Sequence, residues 1–137
     1  LNAIPPQAIR TVYGVTKAYD TYVGTKEFQP SDEIFNALRV IGEEYGATTG
    51  RPRQCNWLDI SLLKKAININ GANTVIINKV DILRMMGKFA VRTGSQPNAP
   101  VLEFSGEEAW KEYIQNELST LSSNYINVIF SESPKEV

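Results

Sequence analysis

The sequence predicts an α/β fold, with a mostly parallel sheet flanked by helices. Three observations carry that expectation. Thr74-Val75-Ile76-Ile77 is short and continuously apolar, as strands buried on both faces are, and the run Ile126 to Phe130 reads as a last buried strand. Amphipathic helical patterns with recognisable start signals alternate with such runs. Strand, helix and strand in that order mark a crossover unit, whose parallel strands gather ligands beyond their carboxyl ends. At 137 residues the chain is long enough to bury a real core, and we expect residues 1–137 to form one domain.

The elements follow in order. Pro5-Pro6 gives an extended start, and the β-branched residues Ile9, Thr11, Val12, Val15 and Thr16 predict one strand from Ile9 to Tyr19. A polar loop runs through Gly24 to Pro30. Ser31 is the expected N-cap of a first helix, with Asp32 and Glu33 in its first turn. Ile34, Phe35, Leu38 and Ile41 share one face of that helix, and Gly46 is its expected stop. The loop Gly46 to Asn56 precedes a second expected helix, with Trp57, Ile60, Leu63 and Ile67 on one face. Asn70-Gly71 is a turn before the strand at Thr74 to Ile77. Lys88 to Thr93 and Val101 to Phe104 read as strands around the loop Gly94 to Pro100. Ser105 and Glu108 have capping-box spacing for a helix carrying Trp110, Tyr113, Ile114, Leu118 and Leu121. The last strand, Ile126 to Phe130, leads into a polar tail from Ser131 to Val137. Trp57 and Trp110 are expected in the core, and Lys64-Lys65 on a solvated face.

Composition narrows the chemistry. The chain has no histidine, which excludes a Ser-His-Asp or Cys-His nucleophile and an HExxH metal site within it. A net charge of −1 argues against a nucleic-acid binder. No apolar run approaches the roughly 20 residues of a membrane span, and the first residues lack the pattern of a signal peptide. The chain starts at Leu1 rather than methionine, which suggests the interior of a longer protein. Its one cysteine, Cys55, cannot form an internal disulfide. Cys55 lies in the basic, polar run Arg53-Gln54-Cys55-Asn56, but no histidine is at hand to activate it.

Two segments stand out. In Gly46-Ala47-Thr48-Thr49-Gly50-Arg51-Pro52-Arg53, terminal glycines bring backbone N–H groups close to an oxyanion, and the threonines add hydroxyl donors. Arg51 and Arg53 supply guanidinium forks that match carboxylate or phosphate, with Pro52 restricting the backbone between them. This is either an anion-binding loop or a solvated loop with ordinary surface arginines, and composition leaves the choice open. Asn78-Lys79-Val80-Asp81 follows a buried strand directly, as an NKxD element that reads guanine does. There the aspartate accepts from the N1–H and amine of the base, and the lysine stem packs on the base or ribose. Its alternative reading is a polar strand-end turn.

Taken together, these residues resemble the adenylosuccinate synthetase family. Gly46 to Arg53 with Cys55-Asn56-Trp57-Leu58-Asp59 is similar to that family's aspartate-binding loop and next helix. Gly14-Val15-Thr16-Lys17-Ala18-Tyr19 with Val23-Gly24 is similar to the segment ahead of the loop, and Lys79-Val80-Asp81 to the guanine-reading Lys-x-Asp. The resemblance implies the C-terminal part of a P-loop-like nucleotide-binding fold. It implies a ligase of purine biosynthesis that uses GTP and magnesium to phosphorylate the 6-oxygen of inosine monophosphate, which the amine of L-aspartate then displaces. Residue by residue, it implies that Thr48, Thr49 and Arg51 hold aspartate, with backbone help from Ala47 and Gly50, and that Arg51 also approaches the purine nucleotide. Val23 and Gly24 would meet the purine nucleotide's ribose, and Arg53 would bridge aspartate to GTP. Lys79 and Asp81 would bind guanine, with Ser131 and Ser133 near the same base.

The sequence departs from the family at Gln54 and Tyr22, where arginines are usual, and at Ser133, where glycine is usual. The connection from Asp81 to Ser131 is shorter than in common bacterial members. The family's phosphate-binding glycine loop, catalytic aspartate, catalytic histidine and magnesium site lie N-terminal to the matching stretch. The resemblance therefore implies a C-terminal portion, inactive alone, of a cytoplasmic homodimeric enzyme that needs its N-terminal part. Two alternatives remain at this level. One is a phage-type enzyme that joins aspartate to deoxyguanylate, and the other is a non-catalytic nucleotide-binding module.

Overall fold

In the computed structural model, which describes residues 11–121 and 126–132, the β-branched stretch after Ile9 splits into two strands. β1 (Tyr13–Lys17) and β2 (Tyr19–Tyr22) join different sheets, and the fully buried Ala18 is the corner between them. The amide of Ala18 donates to the Asn78 carbonyl at 2.8 Å, so the chain stays on the first sheet up to that residue. The expected single strand from Ile9 to Tyr19 is thus corrected to two, and its first two residues lie outside the described part.

The remaining elements are α1 (Ile34–Ile41), β3 (Gln54–Asp59), α2 (Ile60–Asn70), β4 (Thr74–Asn78) and α3 (Val80–Met86). They continue with β5 (Phe89–Arg92), β6 (Val101–Phe104), α4 (Glu107–Ser119) and β7 (Asn127–Phe130). One sheet has the order β1-β4-β7 with both pairings parallel. The other has the order β2-β3-β5-β6, parallel between β3 and β5 and antiparallel at its two outer pairs. The architecture is α/β and mostly parallel, as the strand–helix–strand order predicts.

Several boundaries differ from the sequence reading, each for a local reason. Trp57 is in a strand, because β3 lies between β2 and β5 and residues 55–59 are all buried. The helix begins only after Asp59, whose carboxylate accepts from the amides of Ser61 (3.0 Å) and Leu62 (3.1 Å). Helix α1 is capped by neither Ser31 nor Gly46. Asp32 accepts from the Ile34 amide at 3.1 Å, and the helix ends at Ile41 against Gly42. A Cβ on Gly42 would lie 2.3 Å from the Tyr19 hydroxyl, so only glycine fits at that turn. The Ser105–Glu108 capping box does not form: Gly106 is the N-cap of α4 and no side chain caps it. Glu107 instead pairs with Arg84 and Lys111. Helix α3 has no separate signal in the sequence, since its first residues are those of the strand-end motif.

The core matches expectation better, except that β7, expected as a buried strand, has no buried residue: Asn127 and Ile129 are exposed, because β7 is the edge strand of its sheet. Trp110 is fully buried between Phe89 and Phe130, with ring centroids 5.6 Å away on each side. Trp57 packs on Phe35 at 5.0 Å. Lys64 does not point freely into solvent, since it pairs with Glu117 on α4. We predict that Asp59→Ala destabilises the chain by about 1–2 kcal/mol in urea unfolding, the usual cost of a lost N-cap. A loss within experimental error would show that the α2 cap contributes nothing.

Candidate substrate-binding site at the strand carboxyl ends

The three parallel strands finish side by side. Ser131, just past β7, donates its amide to the Ile77 carbonyl (2.8 Å), and its own carbonyl accepts from the Val80 amide (3.2 Å). Lys17 at the end of β1, Lys79 just past β4 and Ser131 therefore share one edge of the sheet. Lys79 takes a left-handed backbone (φ 62°), which turns the chain from β4 into α3. Asp81 is buried in the first turn of that helix. Ser133 lies outside the described residues.

The glycine-rich loop follows α1. Its two sides are bridged by Tyr45 and Pro52. The Gly46 amide donates to the Arg51 carbonyl (2.8 Å), and the Gly50 amide to the Gly46 carbonyl (2.9 Å). Gly50 adopts the left-handed region (φ 69°), which the reversal requires. Thr49 Oγ1 accepts from the Arg51 amide at 3.3 Å. Ala47, Thr48, Thr49, Gly50 and Arg51 are all exposed. Among the described residues, the amides of Ala47, Thr48 and Thr49 and the Arg51 guanidinium have no protein partner. The loop is thus a closed turn that presents donors outward.

A carboxylate that sequence reasoning passed over joins the two segments. Glu44 is fully buried. Its Oε1 accepts from Lys17 (3.1 Å) and Arg53 Nη1 (2.8 Å), and its Oε2 from Lys79 (2.8 Å) and the Tyr19 hydroxyl (2.5 Å). Burial alone would raise its pKa, but hydrogen bonds from Lys79, Tyr19 and Lys17 outweigh it and bring the carboxyl down to about 2. The one available signal was an acidic pair, Glu43-Glu44, immediately before a basic loop. Lys79 also donates to the Gly42 carbonyl at 3.2 Å.

Gln54, which stands where the family usually has arginine, has a different task. Its Oε1 accepts from the amides of Phe28 (2.9 Å) and Gln29 (3.0 Å). Its Nε2 donates to the carbonyls of Gly24 (3.2 Å) and Lys26 (2.8 Å). Gln54 thereby ties the Val23-Gly24 segment to β3, one residue from Arg53. Tyr22, the other departure, stacks on Phe28 at 5.4 Å. Gly24 (φ 155°) lies against that ring, where a Cβ would come within 2.6 Å of the Tyr22 hydroxyl.

The family model described as adenylosuccinate synthetase matches residues 2–127 of this sequence. The chain belongs to the adenylosuccinate synthetase family. The adenylosuccinate synthetase of Yarrowia lipolytica is 43% identical over 108 residues, covering 77% of this chain and 25% of the relative. That of Paramecium tetraurelia is 37% identical over 127 residues, covering 91% of this chain and 28% of the relative. The chain thus spans about a quarter of the length of these curated synthetases. The fully ligated adenylosuccinate synthetase structure from Plasmodium falciparum superimposes with a TM-score of 0.69 at 25% identity, over 93% of this chain and 38% of that one. The architecture is that of the synthetase family.

Among the described residues, no three acidic or thiol side chains converge on one point. No helix among them is long and apolar enough to cross a membrane. Cys55 is buried in β3, and burial first, then the charge of Glu44, push its thiol up to about 11. It is a packed core thiol. We expect a thiol-alkylating reagent at pH 7.5 to label Cys55 only after unfolding; equal labelling of the folded chain would refute this.

Acid should weaken the fold through Glu44. Its folded pKa of about 2 lies below the ordinary 4.5, so its contribution is complete above 4.5 and lost as pH falls through 2. That loss is on the order of 3 kcal/mol. Glu107, held down to about 2 by Arg84 and then Lys111, titrates in the same interval. Urea unfolding of the parent and Glu44→Gln chains between pH 5 and pH 2 separates the two, and the variant should show the shallower acid dependence.

Proposed function

We propose that this chain is the aspartate- and guanine-binding C-terminal portion of a ligase of purine biosynthesis. In the complete enzyme, GTP phosphorylates the 6-oxygen of inosine monophosphate. The α-amine of L-aspartate then attacks the adjacent carbon, forming a C–N bond as the phosphate leaves with the oxygen. The observation that carries this reading is the outward-facing donor set of the loop, tied through Glu44 to the strand-end lysine.

A carboxylate is a planar anion with several lone pairs, and it is held firmly when several donors, a bidentate guanidinium among them, meet it at once. The free amides of Ala47, Thr48 and Thr49, the two threonine hydroxyls and the Arg51 fork offer that combination, with Gly50 holding the turn. Arg53 spends one of its N–H groups on Glu44 and keeps others to bridge aspartate and the nucleotide side. Lys79, Asp81 and Ser131 lie around the β4 and β7 carboxyl ends, where the base of GTP would be read, with Ser133 assigned to the same base. Val23 and Gly24 would offer backbone groups to the purine nucleotide's ribose.

Magnesium, the phosphate-binding glycine loop and the catalytic acid–base residues belong, on this reading, to an N-terminal portion of a cytoplasmic homodimer. Without that portion the chain would bind but not turn over. The test is Arg51→Leu in a synthetase that joins this segment to the family's N-terminal region. Loss of a bidentate partner from a desolvated carboxylate costs about 2–5 kcal/mol, so the aspartate KM should rise at least about 30-fold. The KM for GTP should stay within about twofold, because this reading gives Arg51 to aspartate and leaves the base to Lys79 and Asp81. Equal changes in both constants, or none, would remove the loop assignment.

A further inference from the structure

Glu44 divides its two oxygens between segments with different tasks. Oε1 faces Lys17 and Arg53, the second arginine of the anion loop. Oε2 faces Lys79 of the strand-end motif and the Tyr19 hydroxyl. Arg53 and Lys79 are 26 residues apart in the chain, and this one carboxylate is the group both of them touch.

The carboxylate is itself firmly placed. The Glu44 amide donates to the Arg39 carbonyl (2.9 Å), and the Glu44 carbonyl accepts from the Arg53 amide (3.0 Å). The preceding residue, Glu43, has a left-handed backbone (φ 53°), which fixes where the chain points Glu44. Three cations share this one anion, whose charge offsets their mutual repulsion. The position of each cation therefore depends on the others.

We propose that Glu44 is a positioning residue that holds Arg53 and Lys79 in fixed relation, so that binding of aspartate and binding of the GTP base are coupled through one carboxylate. This rests on the assignment of the loop to aspartate and of Lys79 to guanine. The neutral isostere Glu44→Gln keeps the shape and loses the charge that orders the cations. Glu44→Asp keeps the charge but, one methylene shorter, cannot reach both sets of partners.

The experiment uses the synthetase that joins this segment to the family's N-terminal region. Glu44→Gln should raise the KM for aspartate and for GTP by about tenfold each, the loss of one charged hydrogen bond per site, with kcat within about threefold. Glu44→Asp should raise at least one of the two by about fivefold. Lys79→Met should also raise the KM for aspartate, across the cluster, and should cease to do so when combined with Glu44→Gln. Variants that melt earlier yet leave both KM values within about twofold would mark a purely structural ion cluster and overturn the proposal. So would a Lys79→Met effect on aspartate that persists in the double variant, or failure of both Glu44 variants to fold. If Arg51→Leu leaves the aspartate KM unmoved, the loop assignment fails. If Arg51→Leu raises it while the Glu44 variants do not, only the coupling fails.

Discussion

A carboxylate removed entirely from water is costly unless its partners are already in place, and Glu44 meets that demand with four donors. They come from the end of β1, the start of β2, the edge of β3 and the turn after β4. No two of these places are neighbours in sequence except across the Ala18 corner. The corner itself, the tight Gly42 turn and the left-handed Glu43 all serve to bring the backbone to that point. An apolar residue there would be easier to bury, but it would remove the counter-charge that three cations share. The charge cluster and the fold around it are one constraint.

The sequence made much of this legible at the level of segments. The paired apolar runs that became β4 and β7, the β5–β6 hairpin and the buried Trp110 were readable because each depends on a short stretch of chain. Trp57 lies in a strand rather than the expected helix because residues buried on every side satisfy a helical spacing and a strand equally well. The break at Ala18 has no local signal, since both halves are rich in β-branched and aromatic residues and the sheets diverge only in three dimensions. Helix α3 is seven residues long and starts inside a motif, which hides its periodicity. The loop and the strand-end motif could each be found, but not their junction. Glu44 meets Lys17 across 27 residues and Lys79 across 35, and separations of that size leave no periodic trace.

Gln54 shows how a departure from the family pattern is absorbed. An amide has both a donor and an acceptor end, and Gln54 uses each twice to hold the segment from Gly24 to Gln29. An arginine has no acceptor and could not close that arrangement. Tyr22 packs on the same segment through Phe28, so the two departures are partners. They exchange cationic reach for a stiffened loop beside the Val23-Gly24 backbone.

Lys79 lies where the backbone would prefer glycine or asparagine and the site needs an ammonium group. No standard amino acid supplies both. A stabilising redesign that scores each position by its backbone comfort would replace Lys79 first, and would erase the charge that ties β4 to the loop. The residue most exposed to well-meant improvement is thus one the site can least spare, and any engineered version of this segment should hold it fixed before optimising anything else.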